Sequence, residues 1–192
     1  RLKQKNIPLT VSIDKVAASG GYMMACVANK IISAPFAIVG SIGVLAQLPN
    51  FNRLLSDKGI DYEQIYSGKY KRTLTIFGEN TKEGREKFTE QIEDTYRLFR
   101  EFVAQNRPSL DMDQVATGEH WYGLQALELS LIDEIKTSDD YLLDASVKAN
   151  LYELNYKLPK TFPQKIGSLV ESSINQVFDL SAKRNKEQDL FK

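Results

Sequence analysis

The chain is short of the side chains that most often move protons and bind metals: its 192 residues include one histidine, His120, and one cysteine, Cys26. A lone cysteine excludes an internal disulfide, and the pair together excludes a His-rich metal cluster or a Cys-x-x-Cys site. A serine or cysteine mechanism that relies on imidazole has a single candidate base. Charge of one sign is also missing, because 25 basic residues balance 25 acidic ones. Nucleic acid is therefore not expected as a partner, since phosphate binding calls for a basic excess. No apolar run approaches the roughly 20 residues that span a bilayer. What is present is an ordinary globular composition, 42% apolar and 26% charged, enough at this length to build a core without staples.

Residues 1–6 are polar, carry no initiator Met and show no leader pattern before a strand-like run begins. The chain is thus expected to be the C-terminal part of a longer protein. Leu9, Val11 and Ile13 alternate with polar neighbours as a half-buried strand does. Residues 22–28 are apolar nearly all round and predict a short buried helix. Further strands are predicted at 30–34, 37–44, 62–66, 131–135 and 151–156, and a helix over 50–58 with Phe51, Leu54 and Leu55 inward and Gly59 behind it. From Thr81, a candidate N-cap, the pattern is helical up to Pro108, with Phe88, Ile92, Tyr96, Phe99 and Val103 on one stripe. Short helices follow at 124–129 and from Ser138 to Ala149. Alternating strands and helices predict an α/β domain, over residues 1–158. Residues 159–192 are expected to be an amphipathic helical extension with a charged tail.

The most informative stretch for chemistry is Ala18-Ser19-Gly20-Gly21. A small-residue turn there would put the Ser19 hydroxyl at the start of an apolar helix, beside unpaired N–H groups that favour developing negative charge. The plainer reading, a helix cap and a tight turn, is the better one for this stretch alone, since Ser-Gly-Gly turns are common. Ser19 also needs a base. His120 falls in a loop with the only Trp, Trp121, where a packing role is favoured, and nothing in the pattern brings it to Ser19. A lysine can replace imidazole if its surroundings favour the neutral amine. Lys69 and Lys71 both qualify, whereas the guanidinium of Arg72 stays protonated.

Taken together, Val16-Ala17-Ala18-Ser19-Gly20-Gly21-Tyr22, Gly40-Ser41-Ile42-Gly43-Val44 and Ser67-Gly68-Lys69-Tyr70-Lys71-Arg72 resemble the successive signatures of the signal peptide peptidase A family, peptidase family S49. The SohB branch is the nearest, through Gly78-Glu79-Asn80-Thr81 and Val115-Ala116-Thr117-Gly118-Glu119-His120-Trp121. The resemblance runs from about residue 3 to about residue 139. It implies a ClpP/crotonase-like spiral of strand-strand-helix units, here without its N-terminal part, and a Ser-Lys dyad protease that uses no metal and no cofactor. Ser19 would be the nucleophile, Lys71 the general base and Ser41 the residue that orients the lysine amine. The Ser19 and Gly20 amides would face the oxyanion. Gly40, Ile42, Gly43 and Val44 would lie beside the substrate, which pairs with this segment as an added strand. The apolar residues around Ser41 would desolvate the lysine.

The resemblance also implies a polypeptide substrate, a homo-oligomer and a membrane anchor upstream. The location it implies is the bacterial inner membrane, with the catalytic domain on the periplasmic side. An upstream glycine-rich motif would supply a further oxyanion donor. Ser130 departs from the pattern, standing after a helix where the family usually has glycine. A ClpP-type Ser-His-Asp peptidase expects a histidine soon after the serine, and a crotonase-type acyl-CoA enzyme has no need of the Ser19 and Lys71 pair. The alternative from another class is a non-catalytic membrane-associated assembly scaffold with the same fold.

Overall fold

The computed structural model describes residues 1–155. The chain divides into two units, Arg1–Asn150 and Leu151–Lys192. All elements below belong to the first. In the second, residues 151–155 form no strand, against the sequence expectation, and the helical extension predicted over 159–192 lies outside the described residues.

β1 (Thr10–Ile13) and β2 (Val16–Ala18) are separated only by Asp14 and Lys15, and α1 (Gly20–Ala25) follows. β3 (Lys30–Ser33), β4 (Ile38–Gly40) and α2 (Asn52–Asp57) repeat the order. The first strands of the two units pair in parallel, Thr10 with Lys30 through Ile13 with Ser33. The second strands do the same, Val16 with Ile38 through Ala18 with Gly40. Parallel neighbours need a crossover, and α1 supplies it for both pairs at once. β6 (Glu134–Ile135) extends the first sheet in parallel to β3, and β5 (His120–Tyr122) closes the second, antiparallel to β4. This is the spiral of strand-strand-helix units that the resemblance implies.

The core lies between the sheets and the helices. Ile31, Ile32, Val39, Ile42, Leu131 and Tyr22 are all within 1% of complete burial, and each large aliphatic side chain buried contributes about 1.5–3 kcal/mol. The phenol of Tyr22 donates to the Leu131 carbonyl at 2.8 Å, so the one polar atom it carries inward is paired. The inward residues of β2, Ala17 and Ala18, are small, which lets α1 pack closely: a Cβ on Gly21 would lie 3.9 Å from that of Ala17.

α3 (Lys82–Asn106) begins where Thr81 Oγ1 accepts the Gly84 N–H at 3.0 Å. Its stripe reads as the sequence predicts, with Phe88, Ile92 and Tyr96 half-buried and Phe99 and Val103 buried. α4 (Met112–Val115), α5 (Gly123–Glu128) and α6 (Ser138–Ser146) complete the unit. α6 is capped by Thr137 rather than Ser138. Two expectations fail in the stretch from Phe51 to α3. Residues 62–66 form no strand, since no neighbouring strand offers them a ladder. Phe51 and Leu54 are exposed, because the segment is held by side-chain amides instead of an apolar face: Asn50 donates to the Thr75 and Gly78 carbonyls and Asn52 to that of Phe77.

The end of α3 is fastened to the sheets by Arg107. Its guanidinium grips Asp133 with both ends, at 3.0 and 2.7 Å, and donates to the Ser130 carbonyl at 2.9 Å. Asp133 also accepts the Ile31 N–H at 2.6 Å. Burial pushes the Asp133 carboxyl up, but the Arg107 fork and the Ile31 amide more than offset it, leaving the group below the usual carboxylate range. Ser130 itself has φ +60. α5 ends there in a Schellman motif, with Leu131 N–H on the Ala126 carbonyl at 2.8 Å and Ser130 N–H on that of Leu127 at 3.0 Å. The serine stands in the left-handed conformation that glycine fills without strain.

Two stability measurements follow. Ser130→Gly should stabilise the chain by roughly 1 kcal/mol in urea unfolding, and a loss of stability would contradict the left-handed cap. Asp133→Asn should cost about 1.5–3 kcal/mol at neutral pH, the range of hydrogen bonds to a charged group. The native Asp133 pKa is depressed, so its contribution is fully present above about pH 4, the unfolded value, and is lost as pH falls through the native one. The gap between wild type and Asp133→Asn should therefore narrow at acid pH, and a gap that stays constant would show that the carboxylate charge is not what holds α3.

Candidate active site

The pairing of β2 with β4 fixes the centre of the site. Ala18 is level with Gly40, so the next residues, Ser19 and Ser41, leave adjacent strands side by side, with about 5 Å between neighbouring strands. Both leave with positive φ, Ser19 at +53 and Ser41 at +52. Left-handed backbone is uncommon for side chains with a Cβ and carries a cost on the order of 1–3 kcal/mol. It turns Ser19 out of the sheet at the start of α1, exposed and with its hydroxyl making no cap bond to the helix.

The two serines open on a cavity of about 610 Å³. Gly43, Val44 and Leu45 form one wall, Ala116, Thr117 and Gly118 a second, and Ile92, Glu93 and Tyr96 of α3 the third. Tyr96 closes the far side by donating its phenol to the Ala116 carbonyl. The α3 wall is not legible as part of a site in sequence, although the spacing of Ile92 and Tyr96 on one helical face could have suggested that they share a neighbour. Among the described residues, the N–H groups of Gly43 and Val44 have no backbone partner. That leaves a free edge along the cavity.

Several residues sit differently from the sequence expectation. The Ser19 N–H donates to the Gly40 carbonyl at 2.8 Å, so it completes the β2–β4 ladder and does not face an oxyanion. Gly20 N–H, the first of the helix, has no intrahelical acceptor. Gly40 is buried beneath Trp121, where a Cβ would fall 2.9 Å from the ring. Ile42 is completely buried, and its carbonyl accepts the Gly118 N–H at 3.1 Å. Both shape the backbone behind the cavity and are walled off from it. His120 is brought much closer than its sequence position suggests, since β5 sets it opposite Gly40 in the same sheet as Ala18. It is exposed, with its ring edge-on to Tyr122 at 6.5 Å.

Lys71 is exposed in a turn closed by its own N–H on the Gly68 carbonyl at 3.0 Å. It does not line the cavity, and among the described residues it forms no ion pair or side-chain hydrogen bond. Lys69 behaves oppositely. Its ammonium lies 2.6 Å from Glu83 Oε1, and the hydrogen bond to Glu83, with a smaller contribution from Tyr70, pushes its pKa up. A base must release its proton before it acts, and Glu83 holds the proton on Lys69. Among the described residues no group of three His, Cys, Asp or Glu side chains is placed to hold a metal ion.

Comparison with known proteins returns a match of residues 1–152 to the model of peptidase family S49. The chain is 53% identical over 188 residues to "Probable protease SohB" of Haemophilus influenzae, covering 97% of this chain and 53% of that protein. It is 64% identical over 143 residues to "Probable protease SohB" of Buchnera aphidicola subsp. Schlechtendalia chinensis, covering 74% and 47%. It is also 35% identical over 161 residues to "Serine protease SPPA, chloroplastic" of Arabidopsis thaliana, covering 82% and 24%. The chain spans about half the length of the SohB relatives it matches.

The backbone behind the serines can be probed through Gly40, which has φ +100 under the Trp121 ring. Gly40→Ala should cost roughly 2–3 kcal/mol, from left-handed strain and from displacing the indole, and should change the emission of Trp121, the only Trp. Unchanged emission with unchanged stability would contradict this packing.

Proposed function

The chain belongs to peptidase family S49, and from that premise we propose that it forms the catalytic part of a serine endopeptidase with a Ser-Lys dyad. The observation that carries the proposal is the pair Ser19 and Ser41. They stand at the ends of neighbouring parallel strands, both in left-handed backbone, and open on one cleft.

In this mechanism Ser19 Oγ attacks the scissile carbonyl while the neutral amine of Lys71 takes its proton. Ser41 orients that amine, and the Gly20 N–H at the head of α1 donates to the oxyanion. The protonated lysine then passes its proton to the leaving amine, and a water, activated by the same lysine, releases the acyl group. The substrate is a polypeptide lying as an extra strand along Gly43 and Val44. Lys71 is preferred to Lys69 because the motif selects it and because Lys69 is tied to Glu83. No helix among the described residues is long and apolar enough to cross a membrane. The reading places the catalytic domain in the bacterial cell envelope, on the periplasmic side of the inner membrane, as a homo-oligomer with an anchor in a preceding segment.

The test uses the full-length protein and cleavage of a fluorogenic peptide. Ser19→Ala should lower kcat by a factor on the order of 10⁶, and Lys71→Ala should remove most activity, as when the members of a catalytic unit act together. His120→Ala should stay within a few-fold of wild type. Activity that survives Lys71→Ala and is lost in His120→Ala would replace the lysine by imidazole. Cleavage indifferent to Ser19→Ala would exclude Ser19 as the nucleophile, and no cleavage by wild type would leave the non-catalytic scaffold role as the better account.

A further inference from the structure

We propose that Glu93 selects substrates by charge, its carboxylate receiving a basic residue of the polypeptide that occupies the cleft between Ser19 and α3. The inference rests on the peptidase reading and refines it to a substrate class.

The first observation is a contrast along one helix. Of the acidic residues on α3, Glu83 pairs with Lys69 at 2.6 Å, Glu86 with Lys82 at 3.8 Å and Glu90 with Lys87 at 2.8 Å. Asp94 and Glu101 share Arg97 at 3.3 and 3.1 Å. Among the described residues Glu93 alone on this helix has no cation, although Asp94 beside it has one. The second observation is its position. Glu93 stands with Ile92 and Tyr96 on the cavity wall, and every other residue lining that cavity is uncharged.

The cleft therefore carries a single sign of charge against apolar walls, the arrangement that concentrates a field on an incoming group. Val44, Leu45 and Ile92 suit the aliphatic stem of a lysine or arginine, whose charged head would then reach the carboxylate. A peptide laid along Gly43 and Val44 turns alternate side chains to opposite faces. The preference should accordingly appear at particular positions and not along the whole substrate.

The experiment uses full-length protein and internally quenched peptides carrying Lys, Gln or Glu in turn at successive positions around the scissile bond. Wild type should favour Lys over Gln about five- to tenfold in kcat/KM at one position or at alternate ones, with Glu poorest there, as expected for a partly solvated charge pair. The ratio should shrink as salt is raised. Glu93→Gln should abolish the Lys preference, and Glu93→Lys should turn it towards Glu. A Lys to Gln ratio equal in wild type and Glu93→Gln overturns the proposal, as does a uniform loss on every peptide. Binding of the same peptides to Ser19→Ala protein, followed by fluorescence anisotropy, should show the same ordering without turnover. If no peptide is cleaved but Ser19→Ala still binds Lys peptides through Glu93, the peptidase reading fails and the charge selection stands. Loss of the ordering in that binding measurement overturns the selection alone.

Discussion

The parallel pairing of β2 with β4 is the constraint from which the site follows. A single bond, Ser19 N–H to the Gly40 carbonyl at 2.8 Å, ends the ladder and sets where both chains must turn away. Ser19 turns into α1, and Ser41 turns towards the 116–119 segment, where its N–H meets the Glu119 carbonyl at 2.7 Å. Because both turns follow the same rung, the two hydroxyl-bearing residues are neighbours without any direct bond between them. The positive φ at each is held by surroundings that leave little alternative: the helix start on one side and the Trp121 ring over Gly40 on the other. A slip of one residue in this register would send Ala17 and Val39 to the opposite face and expose them. Burial of those two side chains thus protects the alignment of the serines.

The third wall of the cleft is secured from further away. α3 is 25 residues long and contributes Ile92, Glu93 and Tyr96 near its middle, while its C-terminal end is tied down by Arg107 on Asp133 and Ser130. Such a pair must overcome desolvation before it stabilises anything. Here the geometry is favourable: two guanidinium nitrogens meet two carboxylate oxygens, and the leftover donor takes a backbone carbonyl. The Ile31 N–H on the same carboxylate links the fork to the first sheet. Arg107 Nε is buried without a partner, which offsets part of the gain. Tyr96 supplies the second fastening, on Ala116, so the wall is fixed both at its end and beside the cleft.

The long elements were legible in the sequence because their periodicity exceeds local noise. The α3 stripe, its Thr81 cap and the stop before Pro108 all appear at the expected places. The left-handed Ser130 is legible from the glycine the family usually has there, since a specific φ requirement leaves a specific residue signature. The short strands were less visible. β2 has three residues, too few to show alternation, and its existence depends on β4. β5 is also only three residues long and reads as a loop, so His120 reads as a loop residue although it joins a sheet. A strand of three residues is defined by its partner, and no window of local sequence contains the partner. Glu93 was unremarkable in sequence because isolated acidic residues on an amphipathic helix are common, and only the pairing of its neighbours sets it apart.

The shortage of imidazole finally bears on how the oxyanion would be held. In the Ser-Lys reading the nucleophile's own amide is already committed to Gly40, so the donor left at this point of the chain is Gly20 N–H. A single donor is typically worth about 3–4 kcal/mol of transition-state stabilisation, which is a fraction of what peptide hydrolysis requires. In that reading, the same ladder bond that aligns Ser19 with Ser41 takes one amide away from the oxyanion. The glycine-rich motif that the family resemblance implies upstream is the kind of element that would restore a second donor, because closely approaching backbone amides supply it without a side chain. In that reading, alignment of the serines and completion of the oxyanion site are separate tasks: the β2–β4 register does the first, and the second would fall to amides other than that of Ser19.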